Sequence, residues 1–253
     1  MNIGERHSYG WRKDSLDSRD YLMALEPVSL PAKVSLRSKM PPVFDQGQLG
    51  SCTANAIAGA LEYEEKRQGL KTHRLSRLFV YWNERNMEGT TESDAGAEIR
   101  DGIKSVGKLG APLEKTWPYD PDRFTWKPSK ASYAEAVKHE ALTYARVAQA
   151  ATTLQTALAS GYAVVFGFTV YESFESQAVA ASGRVPMPSK GEQVLGGHAV
   201  VLTGYDTTGG AIAWEVRNSW GPDWGDHGYA WFPQTYLTST SLCSDFWNIK
   251  KAL

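Results

Sequence analysis

The chain has 253 residues, enough to bury a substantial core either as one large domain or as two small lobes sharing a cleft. With 27 Lys+Arg against 28 Asp+Glu its formal net charge is −1, so no global field attracts nucleic acid or an anionic membrane surface, and neither partner is expected. The longest apolar stretch runs only from Ala163 to Val170, far short of the roughly 20 residues that cross a bilayer, which removes a membrane span from consideration.

Residues 1 to about 30 read as an N-terminal arm, mixed in charge and ending near Pro27 and Pro31, where helix continuation is unfavourable. The arm carries Glu5, Arg6, Arg12, Lys13, Asp14, Asp17, Arg19 and Asp20 with only the short apolar run Tyr21 to Leu25, which is not the pattern of a secretory signal. The compartment stays open. After Pro41-Pro42, Cys52 opens a helical pattern in which Ala54, Ile57, Ala58 and Leu61 recur at helical spacing and which stops at Gly69. Further helical patterns cover about 74–86, 98–108 and 154–159.

From Ala163 the character changes. Segments 163–171, 198–205, 211–217 and 229–232 are rich in Val, Tyr, Trp and Phe between Gly-bearing turns and read as strands. A helical half followed by an antiparallel half predicts an α+β fold with a cleft at the seam. The two cysteines, Cys52 and Cys243, are too few for a disulfide framework. No His/Cys/Asp/Glu grouping has metal-ligand spacing, so neither metal nor other cofactor is expected.

A thiol attacks a carbonyl well only as thiolate, and a helix N-terminus or a neighbouring imidazolium lowers its pKa. Cys52 stands at a helix start, although a buried cysteine there is also a common core residue. His198 follows Gly196-Gly197 and precedes the apolar Ala199-Val200-Val201, a setting that presents an imidazole at a strand edge but equally suits a core histidine. His7, His73, His139 and His227 have no comparable setting. Asn218, at the end of an apolar strand beside Trp220, reads either as a turn residue or as an acceptor that orients a histidine.

Taken together the three segments resemble the papain-like cysteine peptidases, in a bacterial type with a short N-terminal arm. Gln46-Gly47-Gln48-Leu49-Gly50-Ser51-Cys52-Thr53 is similar to that family's nucleophile segment, with a glutamine six residues before the cysteine. Gly197-His198-Ala199 is similar to its histidine segment. Asn218-Ser219-Trp220-Gly221, followed by Trp224-Gly225 and Gly228-Tyr229, is similar to its asparagine segment.

The resemblance implies Cys52 as nucleophile, His198 as acid/base, Asn218 as its orienter, Trp220 as a shield for their hydrogen bond, and Gln46 with the Cys52 N–H as oxyanion donors. It implies that Asp94-Ala95-Gly96-Ala97-Glu98 holds an extended substrate backbone through Gly96 and Ala97, with Gly197 lining the same cleft. It also sets the floor of the S2 pocket near Asp245, where an inward acid would favour a basic P2 side chain. The commoner fate of an aspartate, facing solvent, would leave that pocket to apolar groups. Leu49 and Thr53 depart from the family, which usually has a cysteine and an aromatic residue there.

The expected architecture is papain-like and two-lobed: an arm over 1–30 and a catalytic domain over 31–253, with a helical lobe about 40–145, a sheet lobe about 146–234 and a C-terminal tail 235–253 crossing between them. The implied reaction is hydrolysis of peptide or protein substrates through a thioester. Transglutamination or deamidation on the same triad, and a non-catalytic binding module on the same fold, are the alternatives. Tyr9, Trp11, Tyr21, Leu22, Met23 and Leu25 are larger apolar groups than a solvated tail needs, so the arm is expected either to dock in the cleft or to strap the back of a lobe.

Overall fold

In the computed structural model, residues 8–71 and 73–252 are described; His7 and the start of the arm lie outside them. In chain order the elements are β1 (Trp11–Arg12), β2 (Lys33–Ser35), α1 (Cys52–Arg67), α2 (Arg77–Glu88), β3 (Ala97–Glu98), α3 (Ile99–Leu109), α4 (Lys130–Ala136), β4 (Ala141–Arg146), α5 (Ala151–Ala159), β5 (Val164–Tyr171), α6 (Gln177–Ser182), β6 (Val194–Asp206), β7 (Ala213–Arg217), β8 (Tyr229–Pro233), α7 (Gln234–Thr238) and β9 (Cys243–Ala252). The fold is the expected α+β arrangement, with helices α1 to α3 against an antiparallel sheet of order β4-β9-β5-β6-β7-β8.

The helix α1 sits at the seam, packed on α2 and α3 on one side and on β6 and β9 on the other. Every residue from Cys52 to Glu65 is buried, so the helix cannot be amphipathic, and its acids need partners. Glu62 accepts the Leu75 N–H at 2.8 Å, Glu64 pairs with Arg67 at 2.8 Å and Glu65 meets His139 Nδ1 at 2.6 Å. In α2 the N-cap Ser76 accepts from the Phe79 N–H, and Gly89 ends the helix at φ 72°.

The long strand β6 is shared: its first part pairs with β5 and its end with β2, while β7 runs along its other edge. Residues 235–253, read from sequence only as a tail, supply α7 and the strand β9, which inserts between β4 and β5. Inside the arm, Tyr21 and Leu22 turn their side chains to solvent, at 81% and 66% exposure, contrary to their reading as docking groups. Their backbone holds them instead: Arg146 N–H donates to the Tyr21 carbonyl at 2.8 Å and Met23 N–H to the Arg146 carbonyl at 2.7 Å. Met23 and Leu25 do pack on the core.

Candidate active site

Cys52 is the first residue of α1. Ser51, at the N-cap position, makes no capping bond to the helix, its hydroxyl being engaged by Tyr119 and Asn55, so the first-turn N–H groups keep their positive field beside the thiol. Burial pushes the Cys52 thiol up to about 12, against hydrogen bonds from backbone groups of Ala199, Gly10 and Thr53 that pull it down. Gly10 belongs to the arm, so the arm helps enclose this sulfur. Behind it, Thr53 donates its hydroxyl to Glu84 at 2.6 Å, a bond that an aromatic side chain at that position would not make. Burial raises the Glu84 carboxyl to about 8, and the charge it does carry adds to the upward push on the Cys52 thiol.

His198 is fully buried on β6, and its Nε2 lies 2.7 Å from Asn218 Oδ1. That same oxygen accepts the Ser219 N–H at 2.8 Å. The atom is therefore an acceptor and Nε2 carries the hydrogen, so Nδ1 is the other ring nitrogen. The Trp220 ring lies 4.9 Å from the imidazole centroid and is itself 2% exposed, so the Asn218–His198 bond is kept from water. Phe168 meets the imidazole edge-on at 5.7 Å.

Gln46 is buried and fixed at both ends of its amide. Ser219 donates its hydroxyl to Oε1 at 2.7 Å, which turns Nε2 toward the Leu49 carbonyl at 3.0 Å and the Ser8 carbonyl at 3.2 Å. Ser219 had no assigned role in the sequence reading; it fixes the glutamine as well as touching Asn218. The backbone adds to this, since Gln46 N–H donates to the Ser219 carbonyl at 2.9 Å. The nucleophile and asparagine segments, 172 residues apart between Gln46 and Asn218, are thus stitched together.

The arm lies in this cleft. Ser8 presents its carbonyl to Gln46, Tyr9 places its ring 6.4 Å from both His198 and Trp220 and donates its hydroxyl to Glu175, and the Gly10 carbonyl accepts the Ala97 N–H at 2.7 Å. Trp11 and Arg12 continue as β1, parallel to Ala97 and Glu98 of β3. Gly96 has φ +65°, and a Cβ there would come within 2.0 Å of the Gly10 carbonyl, so both conformation and space require glycine. The Trp11 indole fills a hollow on the sheet, where a Cβ on Gly167 would lie 2.0 Å from it and one on Gly197 2.7 Å.

Asp245 does not face solvent. It is 8% exposed, its backbone at φ 59° turns it beneath the arm, and Oδ2 accepts the Asp14 N–H at 2.9 Å while Oδ1 lies 3.6 Å from Arg146. The arm is also held by charge. Asp14 contacts Arg146 at 3.0 Å and accepts from Trp247 Nε1 at 2.8 Å, and Asp20 contacts Arg100 at 2.9 Å and Arg146 at 3.0 Å.

These charges make arm docking depend on pH in two directions. Burial, then the neighbouring Asp245 charge, raises Asp14 to about 7. An acid raised on docking contributes while it is protonated, and its contribution is lost as pH rises through about 7. For Asp20, burial pushes upward, but the Arg100 and Arg146 hydrogen bonds outweigh it and lower the carboxyl, so its contribution is lost as pH falls below the ordinary carboxylate range. The arm is therefore expected to resist an added endopeptidase best near pH 4, with the resistance falling between about pH 4 and 7, and Asp14→Asn should remove that fall. Arm cleavage independent of pH from about 4 to 7 in the parent chain would contradict this.

Comparison with known proteins fits the geometry. A model described as papain family cysteine protease matches residues 30–243. The chain belongs to the papain family of cysteine proteases. It is 38% identical to a peptidase C1-like protein of Acanthamoeba polyphaga mimivirus, over 96% of this chain and 87% of that protein, and 30% identical to cysteine proteinase 3 of Entamoeba histolytica, over 79% of this chain and 61% of that one. Among solved structures it superposes on xylellain, a cysteine protease from Xylella fastidiosa, with a TM-score of 0.89, 40% identity and 99% coverage of both chains. The papain fold is shared with procathepsin L 3 of Tenebrio molitor at 19% identity and a TM-score of 0.72, over 97% of this chain and 74% of that one. This papain-family chain is a cysteine peptidase.

Proposed function

We propose that peptide hydrolysis in this papain-family peptidase runs through Cys52, His198, Asn218 and Gln46. Cys52 passes its thiol proton to His198 Nδ1, the thiolate attacks the scissile carbonyl, and the oxyanion is received by Gln46 Nε2 and the Cys52 N–H. His198 gives its Nδ1 proton to the leaving amine, releasing it and leaving a thioester on Cys52. Water then attacks the thioester, giving a proton to His198, and the thiol is restored with release of the acid. The observation that carries this reading is the Ser8 carbonyl, which Gln46 Nε2 already holds at 3.2 Å as it would hold a substrate's.

In this reading a productive substrate puts its amine side by His198 and Trp220 and its acyl side along Gly96, Ala97 and the Trp11 hollow under Gly197, with Asp245 beyond it. The arm runs the other way. Tyr9 takes the His198 side and the residues after Gly10 take the acyl side, so its backbone polarity is opposite to that needed for cleavage. Docked so, the arm restrains the enzyme. Several fold relatives were solved as proforms by their titles, which is in keeping with an inhibitory arm.

The test is to incubate the chain with a peptide ester and follow the intact mass. Acylation at Cys52, followed by return to the free mass with release of the acid, is expected; release only onto an added amine would favour transglutamination instead. Asn218→Ala is expected to lower kcat by about tenfold to a hundredfold, less than His198→Ala at about 10^3-fold or more, because an orienting group transfers no proton. Equal losses at matched thermal stability would argue against the two roles.

A further inference from the structure

Past Trp11 the arm runs onto a cluster of cations of the body. Arg100 and Lys104 lie on α3 and Arg146 ends β4, so two separate elements aim three positive charges at one place. Two acids of the body face these cations: Asp245, 3.6 Å from Arg146, and Asp101 on α3, whose carboxyl interacts with both Arg100 and Lys104. The remaining countercharge comes from the arm. Arg100 pairs with Asp17 and, at 2.9 Å, with Asp20; Arg146 pairs with Asp14 and Asp20, both at 3.0 Å; Lys104 stands 3.7 Å and 3.8 Å from Asp17 and Asp20. The arm's acids recur every third residue, and a turn closed by the Asp20 N–H on the Asp17 carbonyl at 3.1 Å brings the last two together.

When the arm leaves, those three aspartates leave with it. The body keeps three cations against the two acids Asp245 and Asp101, and Arg100, with a side chain only 10% exposed under the arm, is uncovered. The Arg146 guanidinium is already seated over the Trp247 ring at 4.5 Å, which holds its fork in place for a carboxylate. We infer that Arg100, Lys104 and Arg146 form a binding site for an acidic segment of protein substrates, upstream of the scissile bond, which the arm's aspartates occupy in the resting enzyme. The inference rests on the catalytic reading for the direction of the substrate. By the arm's own spacing, with Asp14, Asp17 and Asp20 four, seven and ten residues from Gly10, the favoured acids lie at comparable distances from the cleaved bond.

The test uses the full chain carrying Gly10→Ala with Asp17→Asn and Asp20→Asn, which adds a methyl that the docked arm cannot admit and removes the two charges that pair with Arg100, Lys104 and Arg146. Two fluorescent peptides are titrated by anisotropy, identical except that one has three aspartates at three-residue spacing and the other has asparagines. The aspartate peptide is expected to bind about tenfold tighter at low ionic strength, with the gap closing at high salt and in a further Lys104→Glu or Arg146→Gln variant. Equal affinities at low salt, or a gap unchanged by both further variants, overturns the proposal. Turnover of the same two peptides separates the two readings: no hydrolysis of either, with the affinity gap intact, counts against the catalytic assignment and leaves the acidic site standing.

Discussion

Cys52→Ala is expected to fold and to lose peptide hydrolysis by on the order of 10^5–10^6-fold, as loss of a catalytic nucleophile does elsewhere, whereas Cys243→Ala should turn over at nearly the parent rate. Both thiols are buried, and burial raises both, so neither exposure nor the resting pKa separates them. Their surroundings do. Cys243 lies on β9 opposite Phe168, with Leu242 and Phe246 among its neighbours in sequence and core. Cys52 begins a helix whose positive end favours a thiolate, Gln46 is fixed by Ser219 and His198 by Asn218, and in the proposed mechanism these receive the oxyanion and exchange the proton. Removing one sulfur from α1 costs about 1 kcal/mol, a shift in Tm of about 2–4 °C, so the inactive variant remains folded for comparison. Appreciable hydrolysis by the purified Cys52→Ala protein would remove Cys52 from the mechanism.

The sequence carried the site more clearly than it carried the sheet, for physical reasons. Cys52, His198 and Asn218 each stand in a local pattern, a helix start, glycines before a strand, and a strand end beside tryptophan, that equally suits a structural residue. It is the resemblance of the three ordered segments to the papain family that singles them out. Gln46 sits at a fixed offset on the approach to that helix. Ser219 was visible within the asparagine segment, yet its bond to Gln46 spans 173 residues and has no local signal. The strand β9 was missed for the same reason. Phe246, Trp247 and Ile249 do not alternate cleanly, register shifts interrupt both of its pairings, and the partners β4 and β5 that enclose it lie far upstream.

The arm shows a further limit. Tyr9 and Trp11 were legible as groups with a surface to cover, but Tyr21 and Leu22 bind through their backbone, which hydrophobicity does not reveal. Asp14, Asp17 and Asp20 read as ordinary solvated charge until Arg100 and Arg146 are seen to face them. Most of all, the importance of Gly10 depends on what is absent from it, and only the packed cleft shows that.

Gly10→Ala is accordingly expected to release the arm and raise kcat/KM by about 10–100-fold. In the docked arm a Cβ on Gly10 would lie 1.6 Å from the Gly50 carbonyl oxygen, a backbone atom just before the nucleophile. Gly50 cannot yield easily, because its N–H is bonded to both carboxylate oxygens of Asp94, at 3.1 Å and 3.0 Å. Nor can the arm shift toward the other wall, where Gly96 already needs its missing Cβ to admit the Gly10 carbonyl. The added methyl therefore acts on the docked state alone, since an undocked arm tolerates alanine anywhere. A tethered segment meets the cleft at an effective concentration near millimolar, so docking with an intrinsic affinity of about 10–100 μM masks the site by the factor stated. Labelling of Cys52 by a small thiol reagent should quicken by the same factor, and removal of residues 1 to 26 should give the same rates as Gly10→Ala. If Gly10→Ala and the truncated chain both fold normally and keep the parent kcat/KM and labelling rate, the arm is a strap on the fold and does not restrain the enzyme.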